Sequence, residues 1–349
     1  MAFGTVTPAD ATEGYFQNGY GARSKALAGA GVADSRDATA GALNPAGLVH
    51  VGDEIDFAFS VFSPRRQFTG RGAAGVPPAM DLSPFGEVES DRNYFFLPNL
   101  AWSTRSFKNP LFDVMSLTLV GNGGMNTSYP TFARPAPDCL GGGGAGVFCA
   151  GPAGVQMMQM LMSVAFAKQI APGISVGVAP IFAAQLFDGK GLDAFGQFAA
   201  DGLGNNLSGS RNDWGIGGGV RAGIEISPMQ NVRLGVAGTS PIWMEKFNKY
   251  SDLFAERGGF DIPAQLQAGI AVDVSPQLTF MLDWRYIWYS QVDSISNPST
   301  NMFACAGGDV SQCLGGSNGA GFGWDDINII KVGVEYRARP GLTLRAGYS

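Results

Sequence analysis

"LTFMLDWRYIW", residues 278–288, alternates without a break. Phe280, Leu282, Trp284, Tyr286 and Trp288 fall on one side, and Thr279, Met281, Asp283 and Arg285 on the other. Successive side chains of a strand point to opposite faces, so the stretch reads as a β-strand with one apolar and one polar face. The rule extends along the chain. In "IIKVGVEYR" (329–337), Ile330, Val332, Val334 and Tyr336 oppose Lys331, Gly333, Glu335 and Arg337. In "VRAGIEI" (220–226), Val220, Ala222, Ile224 and Ile226 oppose Arg221, Gly223 and Glu225. "LQAGIAVDV" (266–274) puts Gln267, Gly269, Ala271 and Asp273 on its polar side.

Two architectures use such strands: a soluble β-sandwich with its apolar faces inward, and a membrane barrel with its apolar faces outward. The polar faces here mix charges with many Gly and Ala, and Trp and Tyr gather near strand ends. Both features fit a barrel with an aromatic girdle. An outward Arg or Lys would cost about 2–4 kcal/mol near the bilayer midplane, so the charges belong in the lumen. Composition agrees. Charged residues are 15% of the chain, against about 25% in a typical soluble domain. Gly is 51 of 349 residues, about twice its ordinary share, while the hydrophobic fraction is 45%. The apolar run "GVQMMQMLMSVAFA" is shorter than the ~20 residues a spanning helix needs.

Turn signals set the topology. "KNP" (108–110), "IAPG" (170–173), "ISPMQ" (226–230), "VSPQ" (274–277) and "ARPG" (338–341) punctuate the chain, with long Gly-rich segments between them. Short turns at one rim and long loops at the other are the outer-membrane layout. Strands are expected near 54–62, 92–104, 111–121, 160–170, 174–187, 213–227, 232–243, 261–275, 278–292, 323–337 and 342–349. Eleven is odd, and bacterial single-chain barrels have even counts. The expectation is therefore of a sequence cut before its final strands. The N-terminus has no basic region followed by an apolar segment, so any export signal is expected to have been removed.

Other chemistry is scarce. A net charge of −6 argues against nucleic acid. Cys139 and Cys149, and Cys305 and Cys313, lie in Gly-rich stretches at spacings foreign to CxxC sites, and two local disulfides in an oxidising compartment are expected. His50 is the single histidine, which removes most metal chemistry and leaves a barrel lipase without an evident nucleophile–base pair. No GxxxxGK[ST] occurs, so transport, if any, is passive and needs no cofactor.

The opening stretch "GYGARSKALAGAGVADSRDATAGALNPAGL" (19–48), followed by a strand and "FSPRR" (62–66), resembles the long-chain fatty acid transporter (FadL) family of outer-membrane proteins, whose relatives include aromatic hydrocarbon channels. The likeness is strongest over 14–66, and Asn44-Pro45-Ala46 is its most specific part. The resemblance implies a 14-stranded transmembrane antiparallel β-barrel, a hatch inside it, and an apolar route to a lateral opening in the wall. Three missing strands would reconcile it with the count of eleven.

Residues 1–50 are then the hatch and 51–349 the barrel. Arg23, Lys25, Asp34, Arg36 and Asp37 of the hatch are expected to meet lumenal charges. Pro45 fixes its own φ and restricts Asn44, giving a stiff corner before the first strand. Candidate cations for a cargo carboxylate are Arg221, Arg233, Arg285, Lys331, Arg337 and Arg345. The Met-rich "VQMMQMLM" (155–162), with Met157, Met158 and Met160, is expected in or near an outer loop as an adaptable apolar groove. By family position, Phe16 and Tyr20 line the tunnel.

The expected function is passive uptake of hydrophobic compounds, long-chain fatty acids first and hydrocarbons as the alternative, with a lipase, a polar porin or a structural barrel behind them. The expected setting is the outer membrane of a Gram-negative bacterium, among lipid and lipopolysaccharide, as a monomer.

Overall fold

The computed structural model describes residues 13–70, 85–107, 109–133, 144–209 and 211–349. Fourteen strands are assigned among them: β1 Glu54–Phe62, β2 Gln67–Gly70, β3 Phe85–Glu89, β4 Phe95–Thr104, β5 Val114–Asn126, β6 Gly154–Ala171, β7 Ile174–Lys190, β8 Asp213–Met229, β9 Val232–Thr239, β10 Trp243–Met244, β11 Gln265–Asp273, β12 Leu278–Ile287, β13 Ile327–Arg339 and β14 Leu342–Tyr348. One sheet runs β1-β4-β5-β6-β7-β8-β9-β11-β12-β13-β14, each strand antiparallel to its neighbour. These are the eleven strands expected from the alternation. Missing from that reading are β10, which pairs with β8, and the separate two-stranded ribbon of β2 and β3.

Pro172-Gly173 and Pro340-Gly341 close the β6–β7 and β13–β14 hairpins, with both glycines at positive φ. The opposite rim carries the long connections, with short helical turns such as Asn301–Ala306. Cys305 and Cys313 are joined by a disulfide there. Cys149 is also disulfide-bonded, while Cys139 lies outside the described residues.

Inside and outside follow the period. On β12, Phe280 and Leu282 are exposed while Asp283 and Arg285 are buried; on β13, Ile330 and Val332 are exposed while Lys331 and Glu335 are buried. In a soluble protein that order would be inverted, so the exposed band of Phe57, Phe59, Phe96, Leu119 and Leu282 faces lipid. The wall is a transmembrane β-barrel wall, and no described helix is long and apolar enough to cross a membrane.

The lumen is filled by residues 13–50. This plug contains helix α1 (Gly21–Ala26) and two 3-10 turns, Ala38–Ala42 and Pro45–His50. Helix α1 touches both β1 and β14, the two ends of the sheet path, so the sheet curls around it. The Pro45–His50 turn meets β5, β6, β7 and β8. Small side chains permit this fit: Ala30, Ala33, Ala38, Ala42 and Ala46 are all buried.

Candidate functional site

Asn44 is fully buried where the plug turns toward β1. Its Nδ2 donates to Val32 O at 2.7 Å and to Ile224 O of β8 at 3.3 Å, and its Oδ1 accepts from Ala46 N at 3.1 Å. Pro45 is the first residue of the following turn, where its lost N–H is not needed. The wall makes room with glycine: a Cβ on Gly177 would sit 2.4 Å from Pro45 C, and one on Gly223 2.0 Å from Asn44 Oδ1. The corner is thus keyed into two wall strands.

Charges fix the rest of the plug. Asp34 accepts from Arg23 Nη2 at 2.5 Å, Arg36 Nε at 2.8 Å and Arg233 Nη2 at 2.7 Å. Glu335 accepts from Arg23 Nε at 2.9 Å and Arg345 Nε at 2.8 Å, with Arg337 Nε 3.9 Å away. Nearer the loops, Glu13 pairs with both Arg285 and Lys331, and Lys331 Nζ donates to Asn18 O at 3.0 Å. Arg23, Asp34 and Arg36 therefore meet lumenal charges as expected. Asp37 instead caps the turn behind it, accepting from Thr39 N, and Lys25 makes no ion pair among the described residues. Arg221 differs from the other candidate cations: it is buried, donates from Nε to Thr239 Oγ1 at 2.9 Å, and has no carboxylate partner among the described residues.

Plug, wall and loops share one apolar cluster. Phe16 stacks on Tyr15 with ring centres 4.8 Å apart, and Tyr15 meets Tyr289 edge-on at 5.6 Å. Phe187 of β7 packs 4.7 Å from both Tyr250 and Phe254, and Phe254 lies 4.9 Å from Phe260. Ile242, Ile262, Ile287 and Tyr20 belong to the same cluster. Tyr250 donates to Asp188 Oδ1 at 3.0 Å, and burial pushes its phenol above the ordinary range. Arg285 sits 5.6 Å over the Phe16 ring. Phe16 and Tyr20, named from the sequence, are both in this cluster.

The Met-rich stretch is placed differently from the expectation. Residues 155–162 lie within β6, not in an outer loop. Of the three methionines named, Met157 points inward, into the apolar cluster, while Met158 and Met160 stand on the exposed outer face at 50% and 45%. Pairing decides this, since Met157, Met158 and Met160 each take a register position opposite β7. As outward residues, Met158 and Met160 meet lipid and not a lumenal ligand.

The wall divides between β4 and β5. β4 pairs with β5 only from Asn99 to Thr104, against Met115–Val120. Above that point Phe95–Pro98 keeps β1 alone as partner, and Gly121–Asn126 keeps β6. The plug takes the vacated position. Gln17 N donates to Asn122 O at 3.0 Å, Gly124 N donates to Tyr15 O at 3.0 Å, and Phe16 bridges Gly123. The β5 register shifts between Gly121 and Gly123, so Asn122 turns into the lumen, where its Oδ1 accepts from Tyr20 OH at 2.8 Å. Residues 15–17 thus pair with β5 where β4 has left it.

Sequence reasoning missed Glu13, Asn122 and the loop aromatics. Signals for two of these were present: "GNGGMN" (121–126) interrupts a strand with glycine, and Phe247, Tyr250, Phe254 and Phe260 are unusual in a segment between strands. Among the described residues no group of three or more His, Cys, Asp or Glu is placed to hold a metal ion. His50 pairs with buried Glu225 at 2.9 Å.

No family model and no curated protein sequence matches this chain. Solved structures do. The Pseudomonas putida toluene transporter TodX aligns at TM-score 0.64 and 16% identity, covering 96% of this chain and 84% of its own. The Ralstonia pickettii toluene transporter TbuX gives 0.61 and 17%, covering 95% and 86%. A Pseudomonas aeruginosa FadL homologue gives 0.57 and 14%, covering 95% and 80%. The chain has their fold. Like theirs, its wall is an antiparallel barrel sheet, here with the N-terminal segment inside the lumen, and at such identities the likeness reaches no further than architecture.

Proposed function

We propose that this protein is a passive channel for small hydrophobic compounds in the outer membrane of a Gram-negative bacterium, and not an enzyme. The observation that carries the reading is the apolar cluster beneath the outer loops, which runs past Phe16 to a wall gap stoppered by residues 15–17. A compound entering from the loops would stay in contact with aromatic and aliphatic side chains down to that gap. Each buried methylene gains about 0.8 kcal/mol over water, enough to draw cargo in without an energy source. Displacing the stopper would let it leave sideways into lipid. The lumen below is closed to water-filled conduction by the plug and its ion pairs, which speaks against a polar porin.

Hydrocarbons lead as the cargo. The rings of the cluster suit flat apolar molecules, and Arg285 and Lys331, the cations beside it, are already occupied by Glu13. Two of the architectural neighbours carry the description toluene transporter, which supports the same order. Long-chain fatty acids are the second reading, favoured by Arg221, which has no carboxylate partner among the described residues.

The test is uptake. In a Gram-negative host lacking its own channel for these compounds, expression should raise the entry rate of labelled toluene, and of labelled palmitate less. Entry of both at the empty-vector rate would overturn the reading.

A further inference from the structure

Arg221 is 4% exposed and lies on the inner face of β8. Arg23, Arg36, Arg233, Arg285, Lys331 and Arg345 all have a carboxylate within ion-pair distance, and Arg221 has none among the described residues. A buried guanidinium is expensive unless a counter-charge meets it. Other inward acids lie on other partners: Glu13 on Arg285 and Lys331, Glu225 on His50, and Asp283 through Oδ2 on the N–H groups of Gly31 and Val32 and the amide of Gln267, its Oδ1 making no hydrogen bond.

Arg221 borders a cavity of about 20 Å³ between plug and wall, shared with Tyr20, Thr239, Gln265, Gln267 and Arg285. No Asp or Glu lines it. A second observation points the same way. Gln265 is 7% exposed, and its Nε2 has no hydrogen-bond partner, while its Oε1 accepts from Arg285 Nη2. Reversing the amide would aim NH2 at a guanidinium, so the orphan donor is held in place by its own neighbour. The cavity therefore gathers a positive charge without a counter-charge and a buried donor without an acceptor. It has room for about one water-sized particle. A water would answer the donor but not the charge.

We propose that Arg221 and Gln265, with Arg285 beside them, bind one small univalent anion. A free halide and the carboxylate end of an amphipathic compound offer the same chemistry: a negative acceptor small enough for the space. Such an anion would touch Tyr20 and Leu43 of the plug on one side and β8, β9, β11 and β12 on the other, tying plug to wall. The site does not rest on the transport reading, because it would fill in a barrel that moves nothing.

The experiment measures thermal unfolding of the purified protein in detergent at constant ionic strength, in sodium chloride, sodium acetate or sodium gluconate. The midpoint should rise with the logarithm of the small anion's concentration and stay flat in gluconate, whose anion is too large. A rise in chloride alone identifies a free halide; a rise in acetate alone identifies a carboxylate. Arg221→Gln should abolish the dependence. Since that change also removes the bond to Thr239, a second readout uses the unaltered protein: crystals soaked in bromide should show anomalous scattering beside Arg221. Equal midpoints in all three salts, or an anion dependence that persists in Arg221→Gln with no bromide beside Arg221, would overturn the site.

Discussion

Gly124 donates its backbone N–H to the Tyr15 carbonyl at 3.0 Å, although 109 positions separate them in sequence (124 − 15). That bond, with those of Gln17 and Phe16, adds the plug to the wall as a short strand where β4 leaves β5. The segment that fills the lumen therefore also pairs with the wall.

Gly123→Val tests this coupling. A Cβ at Gly123 would lie 1.8 Å from the Tyr15 carbonyl oxygen, a contact no rotamer relieves. The stopper strand should be displaced while the β5–β6 ladder survives. Cells carrying the variant should admit bulky hydrophobic dyes several-fold faster than cells with the unaltered protein. Unchanged dye entry with normal barrel folding would refute the stopper.

The eleven wall strands could be read from the sequence because each has an inner and an outer face of different polarity. The stopper could not. Its pairing partner lies about a hundred residues away, and no local pattern encodes such a register. The Met-rich start of β6 was misplaced for a related reason. Met157 and Met158 are adjacent, so a hydrophobic side chain stands on both faces and the period vanishes there. Glu13 was missed because its value comes from two cations on β12 and β13, more than 270 positions on.

Glu13→Gln should loosen the plug strongly. Lys331 is fully buried and Arg285 nearly so, and removing their shared carboxylate leaves two uncompensated charges. Breaking a buried pair from one side costs about 3–5 kcal/mol. Limited proteolysis should cut within residues 13–50 far faster in this variant, with the barrel core intact. Equal protection would mean that the ion pairs do not hold the plug.

Met160→Arg and Met157→Arg separate the two faces of β6. Met160 is 45% exposed on the outside, so an Arg there should weaken folding into lipid vesicles by about 2–4 kcal/mol if it sits near the midplane. Cargo preference should not change. Met157 faces the apolar cluster, so Met157→Arg should reduce toluene entry even where the barrel still inserts. Equal effects of the two changes on entry would contradict the assignment of faces.

Asn44→Ala isolates the corner where the plug joins the wall. The change strips the Ile224 and Val32 carbonyls of a buried donor, worth about 1–3 kcal/mol when the orphaned groups cannot reach water. Gly223→Ala attacks the same contact from the wall, since its Cβ would stand 2.0 Å from Asn44 Oδ1. Because both variants disturb one interaction, their effects on the thermal midpoint should be less than additive. Uptake should rise in each, as in Gly123→Val, since a plug that has lost its anchor holds residues 15–17 against β5 less firmly. Full additivity in the melt would place the two residues in separate interactions, and uptake equal to that of the unaltered protein would detach the Asn44 corner from transport.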